Sequence, residues 1–233
     1  MQLDVRGAAA VLKVPESTIY RWINERNLPA KGVEGQYRFG RTELLEWATV
    51  HKVGLSPDLF NEETGSQEHP LLSEALESGG IFYDIPGNDK DGVLRAVVDN
   101  MSLPEGVDAD LLLQLFLARE AIGSTAVGGG VAIPHPRQPV VLPVAKPLLS
   151  LCFLATPIDF GAASGEPVHT LFVLLSPTIA IHLQMLAWIA GLLQNERFRG
   201  VLTARKTRKE ILSEIRRVEK ALGPASPGNH SEH

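Results

Sequence analysis

The run Gly128, Gly129, Gly130, Val131, Ala132, Ile133, Pro134, His135 constrains this chain more than any other stretch of its sequence. Three successive glycines carry no Cβ, so the backbone there can take positive φ values, and its N–H groups can converge on an anion. Pro134 fixes its own φ and restricts Ile133 to extended geometry, which limits where the next side chain points. The combination predicts one imidazole, His135, displayed at the end of a proline-braced turn, beside backbone amides suited to a phosphoryl group.

At 233 residues, 44% of them hydrophobic and 21% charged, the chain has the size and composition for one large or two modest folded domains. Its one cysteine, Cys152, has no intramolecular disulfide partner and lies in the apolar run Leu148 to Leu154, where it reads as a small buried hydrophobe. The absence of a cysteine framework and of a cleavable apolar leader predicts a cytoplasmic protein. The longest apolar region, Leu171 to Leu193, is interrupted by Pro177, His182 and Gln184. It reads as a strand followed by a helix, with no membrane insertion.

Charge divides the chain. Residues 1–53 carry eight Lys and Arg against six acids, a net +2, although the whole chain has a net charge of -5. Gly54 to Ser78 then carries Asp58, Glu62, Glu63, Glu68, Glu74 and Glu77 with no Lys or Arg, and its residues up to 70 add Pro57, Gly65, Ser66 and Pro70. This composition predicts an acidic linker over 54–70 between a first domain at 1–53 and a second at 71–222. The Gly-, Pro- and Ser-rich residues 223–233 are expected to form a disordered tail.

In the first domain, Val5, Ala8, Ala9, Leu12 and Val14 form a short apolar pattern. A second helix starts at Pro15 and Glu16 and runs through Asn24, with Ile19, Trp22 and Ile23 on one face. Ser17, Thr18, Arg21 and Tyr20 are left to the outward face, an arrangement suited to a major groove. Gly35 to Gly40 predicts a short wing, and Arg41 to Val50 a closing helix. The runs STIYRWINERNLPA, GQYRF and ELLEW resemble the small winged helix-turn-helix modules of the excisionase and MerR type. The resemblance implies DNA contacts from Ser17, Thr18, Tyr20, Arg21 and Arg26, and wing contacts from Tyr37 and Arg38. A net +2 is modest for a DNA binder, so a homodimer is expected.

The second domain alternates helical and extended patterns. Helices are predicted over Leu71 to Ser78, Asp89 to Met101, Asp108 to Arg119, Ile179 to Gln194 and Arg208 to Ala221. Strands are predicted over Ile81 to Asp84, Leu148 to Leu154 and Thr170 to Leu175. This pattern predicts an α/β fold, a mixed β-sheet layered between helices, preceded by the small, mostly α first domain. LAREAIGSTAVGGGVAIPHPR, TPIDFGAASGEPVHTLFVLLSP and HLQMLAWIAGLL resemble, in that order, the enzyme IIA domains of the bacterial phosphotransferase system, of the mannitol/fructose and nitrogen-regulatory type. The resemblance implies the enzyme IIA type 2 fold, with His135 phosphorylated by a histidine phosphocarrier protein, His182 as a neighbouring imidazole, and Arg119 helping to hold the phosphoryl group. The chain departs from the family at Gly129, where a polar residue is common, and at Pro136, where glycine or alanine is common.

The chemistry agrees with those roles. An imidazole titrating near ~6.5 is partly neutral at cytosolic pH and can attack phosphorus without a strong base. Arg119 offers a planar fork of donors, the glycines offer amides, and Ser124 or Thr125 offers a hydroxyl. Transfer between two histidines calls for no cofactor and no metal. The leading expectation is a regulator that couples phosphorylation of His135 to DNA binding, a phosphohistidine carrier rather than a free-standing turnover enzyme. The alternative passes phosphate to a sugar-specific IIB component, with the first domain used for protein interaction; a regulated enzyme is a further candidate partner. A third class would use Ser124, His135 and Asp159 as a hydrolytic triad, or His135, His169 and His182 as zinc ligands, without any local signature of either.

Overall fold

The computed structural model describes residues 2–33, 36–40, 43–44, 47–48, 51, 53, 71–137 and 142–222. The expected linker over 54–70 and the expected tail over 223–233 lie outside the described residues. So do several positions of the expected closing helix, of which Glu43, Leu44, Trp47 and Ala48 are described and helical.

The N-terminal module opens with strand β1 (Gln2–Leu3), helix α1 (Val5–Val11) and helix α2 (Glu16–Glu25), followed by β2 (Lys31–Val33) and β3 (Gln36–Gly40). Asp4 caps α1 by accepting from the Gly7 N–H at 2.7 Å, and Pro15, in extended geometry, starts α2 with Glu16 in its first turn. The expected wing is a hairpin: β3 pairs antiparallel with β2 on one edge and with β1 on the other. Ala8, Leu12, Ile19, Trp22, Leu28, Phe39, Leu44 and Trp47 form its core. Trp47 donates its indole N–H to the Arg26 carbonyl at 3.0 Å, which ties the end of α2 to the closing helix.

The C-terminal domain runs α3 (Leu72–Gly79), β4 (Ile81–Ile85), α4 (Lys90–Asn100), α5 (Ala109–Glu120), β5 (Ala126–Gly128), β6 (Val131–Ala132), β7 (Leu148–Ile158), β8 (Val168–Leu175), α6 (Ile179–Gln194), α7 (Glu196–Thr203) and α8 (Arg208–Leu222). The five strands form a mixed sheet in the order β4-β7-β8-β6-β5. β4 runs parallel to β7 and β6 to β8, and the other two pairings are antiparallel. The period of two along β7 separates two apolar layers. Leu149, Leu151 and Phe153 pack with α3, α6, α7 and α8, while Cys152 and Leu154 pack with α4 and α5. Each fully buried Leu or Phe stabilises such a layer by about 1.5–3 kcal/mol. Cys152 is a buried free thiol, and burial pushes its pKa up to about 12.

Three elements of this domain go beyond the sequence reading. β5 and β6 have three and two residues, too short for periodicity to reveal, and exist through their pairing with each other and with β8. Helix α7 follows α6 directly because Asn195 ends one helix and caps the next, accepting from the Phe198 N–H at 3.1 Å. Among the described residues, no helix is long and apolar enough to cross a membrane.

Candidate functional site

His135 lies three residues beyond β6, and the main chain leading to it is held from both sides. The Ile133 N–H donates to the Thr125 carbonyl at 3.1 Å, and the Pro134 carbonyl accepts from the Leu174 N–H at 3.0 Å. The imidazole is then oriented by its own backbone, Nδ1 lying 2.6 Å from the Ile133 carbonyl oxygen. A carbonyl oxygen can only accept, so Nδ1 carries the proton and the ring's lone pair sits on Nε2. His135 is 3% exposed and His182 0%.

His182 comes from the first turn of α6, whose start is fixed by Thr178 accepting from the Ile181 N–H at 3.2 Å. The two rings lie 5.0 Å apart between centroids and are inclined at 54°. Sequence separation of 47 positions is thus closed by the β8–α6 connection. Two buried imidazoles are brought side by side, one of them with its Nδ1 engaged by its own backbone.

Arg119, in the last turn of α5, is 9% exposed and donates through Nη1 to the Gly123 carbonyl at 2.9 Å. The hydroxyls of its neighbours are committed to the fold. Ser124 donates to the Phe160 carbonyl at 2.7 Å. The Thr125 hydroxyl donates to the Glu120 carboxylate, which also accepts from the Thr125 N–H at 3.2 Å. Glu120 is 7% exposed and forms an ion pair with Lys90 at 3.1 Å. This Lys90–Glu120–Thr125 chain braces the segment that pairs with Ile133. Sequence reasoning missed Glu120 and Lys90, because their 30-residue separation carries no local periodicity.

The glycines do a different job from the one expected. Gly128, Gly129 and Gly130 all take positive φ, at 80°, 63° and 70°, and make the turn at the end of the β5–β6 hairpin remote from His135. The Gly129 N–H donates to the Glu166 carboxylate at 2.9 Å, so this amide is already engaged by an anionic side chain. Gly130 accepts through its carbonyl from the N–H groups of both His169 and Thr170, at 2.8 and 3.1 Å, and a Cβ on it would lie 2.2 Å from His169 Nε2.

His169 belongs to that end of the hairpin, with Nδ1 2.8 Å from the Thr170 hydroxyl; burial lowers its pKa, Arg205 lowers it further, and Glu166 acts in the opposite direction. It lines a cavity of about 420 Å³ together with Gln194, Arg199 and Thr203. That cavity lies toward the far end of α6, roughly 18 Å along the helix from His182 at its rise of ~1.5 Å per residue. The triad alternative is not assembled: Ser124 donates to a main-chain carbonyl, Asp159 accepts from the Gly161 N–H at 2.8 Å, and His135 Nδ1 faces Ile133. Among the described residues, no three His, Cys, Asp or Glu side chains gather as a metal cluster.

In the N-terminal module, Ser17, Tyr20, Arg21 and Arg26 are exposed and Thr18 is half-buried on α2. Tyr37 of the wing is 37% exposed and meets Tyr20 edge to face at 6.1 Å, which joins helix and wing into one surface. Arg38 donates to Gln36 at 3.3 Å, and the Arg26 guanidinium sits over the Trp22 ring at 5.7 Å.

Comparison with known proteins matches residues 74–218 to the family of the phosphoenolpyruvate-dependent sugar phosphotransferase system, EIIA 2, and residues 3–49 to a helix-turn-helix domain. The chain is 35% identical over 144 residues to a nitrogen regulatory protein of Pseudomonas aeruginosa, covering 60% of this chain and 91% of that one. It is 31% identical over 142 residues to the PTS system fructose-specific EIIA component of Haloferax volcanii, covering 58% and 90%. The crystal structure of nitrogen regulatory protein IIA-Ntr from Neisseria meningitidis superposes with a TM-score of 0.52 at 26% identity, covering 58% of this chain and 92% of that one. With the mixed five-stranded sheet and a paired His135 and His182 in place, the chain belongs to the EIIA type 2 family of the phosphotransferase system and carries a helix-turn-helix domain ahead of it.

Proposed function

We propose that this chain is a regulatory protein of the phosphotransferase system, phosphorylated on His135 by a histidine phosphocarrier protein and coupling that event to DNA binding through its N-terminal module. The observation that carries the reading is the Nδ1 contact to the Ile133 carbonyl at 2.6 Å with His182 alongside. The Nε2 lone pair attacks the phosphorus of the carrier's phosphohistidine, and the new N–P bond forms as the carrier's N–P bond breaks. The bonding pair returns to the carrier's ring nitrogen, so no proton need move between the partners. Positioning and charge stabilisation then supply the catalysis, in which His182 and Arg119 serve the phosphoryl oxygens. Ser124 and Thr125 act at one remove, by holding the segment that carries His135.

The shared surface of Tyr20, Arg21 and Tyr37 supports groove binding, and the module's modest charge supports DNA binding as a dimer. A second reading, a carrier that passes phosphate to a sugar-specific IIB component, draws on the likeness to a fructose-specific EIIA component. The primary test is incubation with enzyme I, a carrier protein and labelled phosphoenolpyruvate. Acid-labile label lost in His135→Ala is the expected result, and label retained in that variant overturns the assignment. Specific DNA retention by the full chain separates the regulator from the simple carrier.

A further inference from the structure

We infer that the helix-turn-helix module is the resident occupant of the face on which a phosphocarrier must dock, so that closure by this module and phosphorylation of His135 exclude each other. The inference rests on the reading of His135 as phosphoacceptor. Transfer from a protein donor requires the donor's phosphorus to come within about 3–3.5 Å of Nε2, yet His135 is 3% exposed and His182 0% in the full chain.

The N-terminal module reaches the chain just past each of these two histidines. Leu183, which follows His182, is 4% exposed and packs in the apolar cluster of Ile19, Trp22, Leu28 and Trp47. Its neighbours on α6, Met185, Leu186 and Ile189, pack instead in the core of the C-terminal domain. On the other side, Arg137, two residues past His135, approaches the Glu43 carboxylate of the N-terminal module at 4.0 Å. One module therefore contacts the chain next to each imidazole, with an apolar anchor beside His182 and a charge contact beside His135.

The arrangement has a built-in direction. A phosphoryl group adds up to ~2 negative charges two residues from Arg137, where it would compete with the Glu43 carboxylate for that guanidinium. Phosphorylation thus disfavours closure, and closure slows phosphorylation, the two being linked reciprocally. Ser17, Tyr20, Arg21 and Arg26 stay exposed while the module is docked. The switch accordingly fixes where the module sits relative to the C-terminal domain and leaves its outward face open.

The test compares the full-length wild type, Leu183→Asp, Glu43→Lys and the swap Glu43→Lys with Arg137→Glu. Two rates are read: labelling by the carrier system, and diethylpyrocarbonate modification of His135, mapped by mass spectrometry. Leu183→Asp is expected to raise both at least ten-fold and Glu43→Lys two- to five-fold, with the swap returning toward wild type. The half-buried Glu43 position, at the edge of the contact, keeps the test valid where Leu183→Asp fails to fold. Equal diethylpyrocarbonate rates across folded variants overturn the docking inference. Faster modification with no label in any protein leaves docking standing and overturns the phosphoacceptor reading instead.

Discussion

In the C-terminal domain the candidate nucleophile is buried and held through main-chain atoms, Ile133, Pro134 and Leu174 fixing one imidazole from both flanks. In the N-terminal module the candidate contacts are side chains on an open surface, held by other side chains, as Tyr20 is by Tyr37, Arg26 by Trp22 and Arg38 by Gln36. Group transfer needs a single nitrogen held to a fraction of an ångström, and backbone bonds supply that. A nucleic-acid surface needs reach and charge, which long side chains on a small core supply. The same chain thus uses rigid placement where chemistry is expected and adjustable placement where recognition is expected.

The sharpest way to break this contrast is at Gly130. A Cβ there would meet His169 Nε2 at 2.2 Å with φ at 70°, so Gly130→Ala is expected to cost about 3 kcal/mol from backbone strain and overpacking together. Gly129→Ala, with nothing near its Cβ and φ at 63°, is expected to cost only about 1 kcal/mol. Urea unfolding of both variants measures the difference, and equal costs would show that the close approach of Gly130 to His169 does not constrain the turn.

Next comes the brace behind it. Lys90→Met leaves the buried Glu120 carboxylate without its cation; because Lys90 is itself 25% exposed, the loss is expected at about 2 kcal/mol. The same variant should slow labelling of His135, since Thr125 is held by Glu120.

The other side of the comparison is sharpened by Arg21→Ala, at a side chain 60% exposed. It is expected to weaken DNA binding about five-fold and to lower the salt slope by roughly 1, with thermal stability and His135 labelling unchanged. A stability loss there would show that the outward face is structural.

The smallest effect concerns pH. The folded-state pKa of His169 is lowered, mainly by burial, so the unfolded chain takes up a proton first as pH falls. The stability contributed by neutral His169 is present above the unfolded value of ~6.5 and is lost as pH drops through the lower folded value. His169→Gln should flatten that part of the stability profile, measured by unfolding midpoints in steps below pH 7.

Much of this was legible in the sequence because it is periodic. The amphipathic helices, β7, β8 and the α2 face all announce themselves by spacing, and Ile179 to Gln194 matches its expected bounds. His135 stood out as the candidate nucleophile because Pro134 fixes its own φ and holds Ile133 extended just ahead of it. What stayed hidden depends on tertiary pairing: β5 and β6 are too short to show a period, and Lys90 with Glu120 meets across two helices. The glycine amides were misassigned because sequence tells which backbone can turn, and only pairing tells which end of a hairpin the turn occupies.

The two main-chain bonds at Ile133 and Pro134 also bear on inheritance. Every residue brings the same peptide N–H and carbonyl, so a nitrogen placed by them survives replacement of the side chains around it. Selection can then redraw the surface beside His135 and suit it to new partners without moving the imidazole.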